Sequence, residues 1–95
     1  MERKPQSKVK YKVVLSGEAE KVLRRLERQD YLLVLKELHS LEEQAWHEAS
    51  ASIVGTPYLR LRVRRFRIIY EVDSRQKTVY VKRIARRNEQ TYKGL

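Results

Sequence analysis

Polar and apolar residues follow two different periods along this chain. From Val9 they alternate: Val9, Tyr11, Val13 and Leu15 point one way, Lys10, Lys12 and Val14 the other, which predicts a strand. Ser16 is a suitable N-cap, Gly17 eases the turn, and Glu18 and Glu20 suit a first helical turn. Ala19, Val22, Leu23 and Leu26 then keep helical spacing to about Arg28, a short amphipathic helix. Asp30 is the expected cap of a second helix beginning at Tyr31. There Tyr31, Val34, Leu35, Leu38, Leu41 and Ala45 form one stripe. Glu42 falls inside that stripe, so this helix should fray, bend or meet solvent beyond Leu41. Leu32 and Leu33 lie off it and are candidates for touching a partner. With so short a link, the two helices form an antiparallel hairpin.

The period then changes from 3.6 to 2. Gly55-Thr56-Pro57 breaks the pattern, and in "YLRLRV" Leu59, Leu61 and Val63 alternate with Arg60 and Arg62. After a tight turn at Arg64-Arg65, Phe66, Ile68, Tyr70 and Val72 alternate with Arg67, Ile69 and Glu71. "DSRQK" is a second turn and "TVYVKRI" a last strand. The expected fold is α+β in the order β-α-α-β-β-β, a helical hairpin packed on one antiparallel-rich sheet. Residues 1–8 read as a basic flexible tail and 9–95 as the domain.

Composition narrows the chemistry. At 95 residues one small core is the most the chain can build. It has no cysteine, which excludes disulfides and thiolate chemistry and fits a reducing cytoplasm. Neither a transmembrane span nor a signal peptide is expected, since no long apolar run exists and "MERKPQSKVKYK" lacks an apolar centre. The net charge is +10 and unevenly spread: +4 over residues 1–16, −3 over 17–56 and +9 over 57–95. A field of one sign concentrates polyanions and speeds their encounter.

The arginines of "YLRLRVRRFRIIYEVD" sharpen this. Arg60 and Arg62 project from the strand face opposite Leu59, Leu61 and Val63, and Arg67 projects opposite Phe66, Ile68 and Tyr70. Pairing through the turn sets Arg62 across from Arg67 on one face. Like charges placed so are destabilising, which suggests an external anion; the guanidinium fork matches phosphate. Glutamates of the second helix or of a partner are the competing explanation. Lys82, Arg83, Arg86 and Arg87 extend the basic set. His39 and His47 have no third ligand in register, and no Gly-rich phosphate loop, HExxH or nucleophile elbow occurs. Hydrolysis by histidine pairs, paired carboxylates or bound metal is disfavoured. No cofactor or metal is expected.

Taken together, "YKVVLSGEAEKVLRRL", "YLRLRVRRFRIIYEVD" and "VKRIARRNEQTYK" resemble the RelE/ParE superfamily of toxin–antitoxin toxins, from about Val9 to the end of the chain. RelE-branch members cut messenger RNA in the ribosomal A site and are silenced by a cognate antitoxin. ParE-branch members poison DNA gyrase with the same fold. The resemblance carries RelE roles to Arg60 and Arg62, to Arg67, to Arg86 with Arg87 as the competing assignment, and to Tyr92. Two departures are visible. The turn, often Gly-Asp in the family, is Arg64-Arg65 here, and the first basic pair is arginine where some members have lysine.

The resemblance implies a ribosome-dependent endoribonuclease in which the RNA 2′-hydroxyl attacks the adjacent phosphorus. Arg62, Arg67 and Arg86 would stabilise the charge developing on the phosphorane. Tyr92 is the candidate base, since positive neighbours favour loss of a phenolic proton; stacking on a nucleobase is its other candidate role. Arg60 would position a neighbouring phosphate, with Arg64, Arg65, Lys82, Arg83 and Arg87 as further RNA contacts. The implied partners are an antitoxin, the ribosome and messenger RNA, without a membrane. A ParE-like gyrase inhibitor and a non-cutting RNA-binding domain remain the alternatives.

Overall fold

A single serine joins the first strand to the first helix and both to the last strand, which lies beside the first in the sheet. Ser16 Oγ accepts from the Ala19 N–H at 3.0 Å, the expected N-cap bond, and donates to the Lys82 carbonyl at 2.8 Å. Its own N–H donates to the Val81 carbonyl at 2.9 Å. The computed structural model describes residues 9–88 and 91–95; the expected tail, 1–8, lies outside them.

The elements are β1 (Lys12–Leu15), α1 (Gly17–Arg25), α2 (Arg28–Glu43), β2 (Ser50–Ser52), β3 (Leu59–Val63), β4 (Phe66–Asp73) and β5 (Thr78–Arg86). The strands form one sheet in the order β1-β5-β4-β3-β2, with β1 parallel to β5 and the other pairs antiparallel. The α+β class, the hairpin and the β3-β4-β5 meander follow the alternation in the sequence. β2 was not anticipated, because Ser-Ala-Ser carries no apolar alternation; it is an edge strand held by backbone pairing to β3.

α2 starts three residues earlier than expected. The Tyr31 N–H already donates to the Glu27 carbonyl at 2.8 Å, so Glu27 holds the cap position. Asp30 therefore sits in the first turn, where a carboxylate complements the helix dipole. At the other end the Glu42 carbonyl accepts from the Tyr11 N–H at 2.7 Å, tying the approach to β1 to the end of α2.

Val34, Leu38, Leu41 and Ala45 pack onto Leu61, Val63, Phe66, Ile68, Tyr70, Val79, Val81 and Ile84. Each fully buried apolar side chain stabilises by about 1.5–3 kcal/mol. Tyr70 has no accessible surface, and its hydroxyl donates to the Ala45 carbonyl at 3.1 Å. This single layer leaves the other sheet face without helices.

One irregularity sets which side chains reach that open face. Ile69 is opposite Arg83 but Tyr70 is opposite Val81, so β5 carries one extra residue, Lys82, against β4. A bulge of one residue reverses the facing of everything beyond it. Val79 and Val81 point to the core before it, and Ile84 after it.

Candidate functional site

The open face carries a groove of about 570 Å³ lined by Arg60, Arg62, Arg67, Arg87, Asn88 and Tyr92. β3 supplies Arg60 and Arg62, and the register places Arg62 directly across from Arg67 of β4, as the alternation predicts. Arg67 is only 6% exposed. Its Nη1 donates to the Phe66 carbonyl at 3.2 Å, which leaves most of its five donors for the groove. No carboxylate is among the described lining residues, so four guanidiniums share a space with no described group to neutralise them. Burying a charge beside like charges is expensive unless an anion completes the site. Arginine's fixed fork suits phosphate oxygens.

The segment after β5 completes the groove through contacts that sequence reasoning did not find. The Arg87 N–H donates to the Arg65 carbonyl at 2.8 Å, extending the strand pairing by one bond. Thr91 is buried; its Oγ1 donates to the Arg86 carbonyl at 2.7 Å and accepts from the Asn88 N–H at 3.0 Å. Arg83 reaches along the same segment, its Nη1 donating to the carbonyls of Thr91 at 3.0 Å and Lys93 at 2.8 Å. Its Nε stands 3.5 Å from the Glu18 carboxylate, an ion pair without a hydrogen bond. Together Thr91 and Arg83 hold Tyr92 at the groove. The one trace of this in the sequence is a threonine next to the late aromatic in an otherwise polar tail.

Of the ten residues singled out from sequence, five meet in the groove: Arg60, Arg62, Arg67, Arg87 and Tyr92. Arg86 does not. Phe66 is its cross-strand partner, and its guanidinium lies 5.3 Å from the centre of the Phe66 ring, on the helix side. The Lys82 bulge is the cause, turning Arg86 toward the helices and its neighbour Arg87 toward the groove. Arg65 also leaves the groove, lying 6.0 Å from the Phe66 ring and 3.9 Å from Asp30. Arg64 is exposed at the tight turn, Arg83 clamps the tail, and Lys82 lines a separate recess on the same sheet face. His39 and His47 each stand beside a glutamate, Glu42 at 3.6 Å and Glu37 at 3.5 Å. Among the described residues no three His, Asp or Glu converge as metal ligands, and no helix is long and apolar enough to cross a membrane.

Comparison with known proteins places this architecture. Residues 13–91 match the family model described as the ParE toxin of type II toxin–antitoxin system, parDE. No curated protein matches the sequence. Among solved structures, a chain of the RelBE2 toxin–antitoxin complex from Mycobacterium tuberculosis superposes with a TM-score of 0.76 at 19% identity, covering 86% of this chain and 97% of that one. A chain of the archaeal RelE–RelB complex from Pyrococcus horikoshii OT3 gives 0.75 at 22% identity, with 84% and 98% covered. A chain of the chromosomal ParDE system from P. aeruginosa gives 0.65 at 14% identity, with 82% and 97% covered.

Proposed function

The chain belongs to the ParE toxin family of type II toxin–antitoxin systems, within the RelE/ParE superfamily, and we propose that it acts as a RelE-type toxin, a ribosome-dependent endoribonuclease cutting messenger RNA in the A site. The observation that carries this reading is the groove: Arg62 opposite a buried Arg67, with Arg60, Arg87 and Tyr92 around them and no described carboxylate.

In this mechanism the 2′-oxygen of the RNA attacks the adjacent phosphorus while its proton passes to a base. The bond from phosphorus to the 5′-oxygen breaks, that oxygen takes a proton from water, and the products are a 2′,3′-cyclic phosphate and a 5′-hydroxyl. Arg62, Arg67 and Arg87 hydrogen-bond the phosphorane oxygens as their charge grows. Arg60 holds a neighbouring phosphate. A guanidinium offers donors and no acceptor, so the Tyr92 phenol oxygen is the described lining group available to take the proton. One weak base makes little headway on free RNA, and the ribosome must orient the substrate.

Gyrase inhibition is the second reading. It is favoured by the matched family being the ParE toxin and by the lack of lysine or histidine among the described residues of the groove. In either reading a cognate antitoxin is the expected partner, as in the RelBE and ParDE complexes named above, and the cytoplasm the expected compartment.

Toeprinting on a defined messenger in a reconstituted translation reaction separates the two. The expected result is a new 5′ end at the A-site codon that requires ribosomes and disappears with Arg67→Ala. Survival of cutting in Tyr92→Phe would take the base role from Tyr92. If the wild type leaves the messenger intact on active ribosomes, the nuclease reading is wrong, and inhibition of gyrase supercoiling is the assay to run.

A further inference from the structure

The arginine groove is not the only concavity on the open sheet face. Tyr58, Glu71, Tyr80, Lys82 and Val14 line a recess of about 230 Å³ at the other end of β4. Glu71 is opposite Tyr80, and Tyr80 is opposite Val14, so the recess is one lateral row of the sheet. Between it and the groove lies one more row, in which Ile69 is flanked by Arg60 and Arg83. Ile69 has no accessible surface although it faces away from the core, so its neighbours cover this row and any strand joining groove and recess passes over them. Arg67 and Glu71 lie four positions apart along the strand, about 13 Å at roughly 3.3 Å per residue.

The chemistry of this recess differs from that of the groove. Two tyrosines offer ring faces; Tyr80 is 39% exposed, and its hydroxyl donates to Gln76 Oε1 at 3.3 Å, which restrains the ring. Glu71 is half-buried, and no described side chain or backbone group pairs with its carboxylate. In a chain with 22 basic and 12 acidic residues, a half-buried carboxylate without a basic partner is conspicuous. Lys82, on the bulge beside it, likewise has no ion-pair partner among the described residues.

We propose that this recess is a nucleobase subsite that selects guanine in the RNA strand whose phosphates lie along the arginine groove. Aromatic faces hold an unstacked base irrespective of its identity. The carboxylate supplies the selectivity. Guanine is the base whose Watson–Crick edge presents two adjacent donors, N1–H and N2–H, to two carboxylate oxygens, while its O6 beside them accepts from an ammonium such as Lys82. Adenine and cytosine offer a carboxylate one exocyclic amine, and uracil one ring N–H. The same carboxylate would repel a phosphate, so the strand passes this point with its base inward. This inference rests on the RNA-cutting reading above, and base selection gives that reading a codon preference.

The test is an anisotropy titration of labelled UUGU, UUAU, UUCU and UUUU with the full-length protein at low salt, where electrostatic binding is strongest. The wild type is expected to bind UUGU about tenfold more tightly than the others, the discrimination a bidentate base contact supplies. Glu71→Gln should level the four, and replacing guanine by inosine, which lacks the N2 amine, should level them for the wild type. Tyr80→Ala should weaken all four alike by about fivefold or more, and Arg60→Ala should weaken all four without altering their order. Equal binding of the four RNAs by the wild type, no measurable binding, or a guanine preference that survives Glu71→Gln would overturn the proposal. The titration needs neither ribosomes nor cleavage. A guanine preference without an A-site cut therefore condemns the nuclease reading alone, and an A-site cut without the preference condemns the subsite alone.

Discussion

β4 presents two faces made from alternate residues of one eight-residue strand. Toward the helices it carries Phe66, Ile68 and Tyr70, all buried, with the strand's one side-chain hydroxyl satisfied by the Ala45 carbonyl. Away from them it carries Arg67, Ile69 and Glu71, of which the first two are as inaccessible as the core. Burial alone therefore does not separate the faces. Satisfaction does: the buried side chains on the helix side meet their chemical complements within the chain, whereas Arg67 stands across from another arginine and the Glu71 carboxylate has no ion-pair partner among the described residues. A face stabilised for folding closes its own interactions. A face that leaves charges open at the expense of stability is shaped by something outside the chain.

Adjacent residues give the strongest way to break this contrast. Ile68→Ala should destabilise the domain by about 2–5 kcal/mol, because it removes a fully buried side chain from the middle of the core; denaturant melts would measure it. Arg67→Ala, one residue away, should stay within about 1 kcal/mol of wild type, since relief of the Arg62 repulsion offsets the lost packing of the stem. Its loss should instead appear in toeprints as a fall of about a hundredfold to a thousandfold in cutting. A large loss of stability in Arg67→Ala would make Arg67 a core residue and undo the contrast.

Arg86 and Arg87 repeat the experiment across the bulge. Arg87→Ala should lower cutting by about tenfold to a hundredfold. Arg86→Ala should leave cutting within a few-fold and cost about 0.5–1 kcal/mol of stability through its lost contact with Phe66. The reverse outcome would mean that the strand beyond Lys82 sits in the other register.

Why the sequence could place Arg62 and Arg67 but not choose between Arg86 and Arg87 is a matter of range. Leu59, Leu61 and Val63 alternate with arginines inside one strand, and a two-residue turn fixes the pairing with β4, so the Arg62–Arg67 juxtaposition follows from local rules. The bulge at Lys82 is not local. It coincides with the point where Ser16, 66 positions earlier, hydrogen-bonds the Lys82 carbonyl, and its one trace within "TVYVKRIARR" is the step of three from Val81 to Ile84 where strict alternation gives two. The start of α2 differs from the expectation for another reason: Asp30 is a better capping residue than Glu27, yet the helical backbone already begins with the bond from the Tyr31 N–H to the Glu27 carbonyl. β2 and the Thr91–Arg83 clamp are tertiary throughout, held by pairing and carbonyl contacts that leave no periodicity.

The helix side can also be probed by pH. Burial pushes the Tyr70 phenol above its ordinary value of 10.0, against smaller opposing pulls from hydrogen bonds with Ser50 and the His47 backbone. The unfolded chain loses this proton near pH 10 while the folded chain keeps it. The stabilisation is thus fully present below pH 10 and is lost as pH rises through the raised folded value. Tyr70→Phe should cost about 1 kcal/mol at neutral pH, the worth of the bond to Ala45, and should flatten this contribution to the alkaline decline. Equal alkaline slopes in melts of the two proteins would mean that the phenol is not shielded.

The smallest effect lies at the turn where the chain passes from β3 to β4. Arg64 has φ of +58°, a left-handed conformation in which its Cβ crowds the following carbonyl oxygen. Its side chain is exposed and lies outside the groove, so neither face of the sheet depends on it. Arg64→Gly removes the crowding, worth about 1–2 kcal/mol, but gives the unfolded chain more freedom, which takes back about 0.5–1 kcal/mol. The net should be a gain of up to about 1.5 kcal/mol, seen as a melting temperature several degrees higher. Cutting and RNA binding should fall only by the share that one peripheral positive charge contributes to attracting RNA. If instead Arg64→Gly lowered cutting as far as Arg67→Ala does, the turn would belong to the site, and the division between a self-satisfied face and an open one would extend beyond the sheet to the loop that joins its strands.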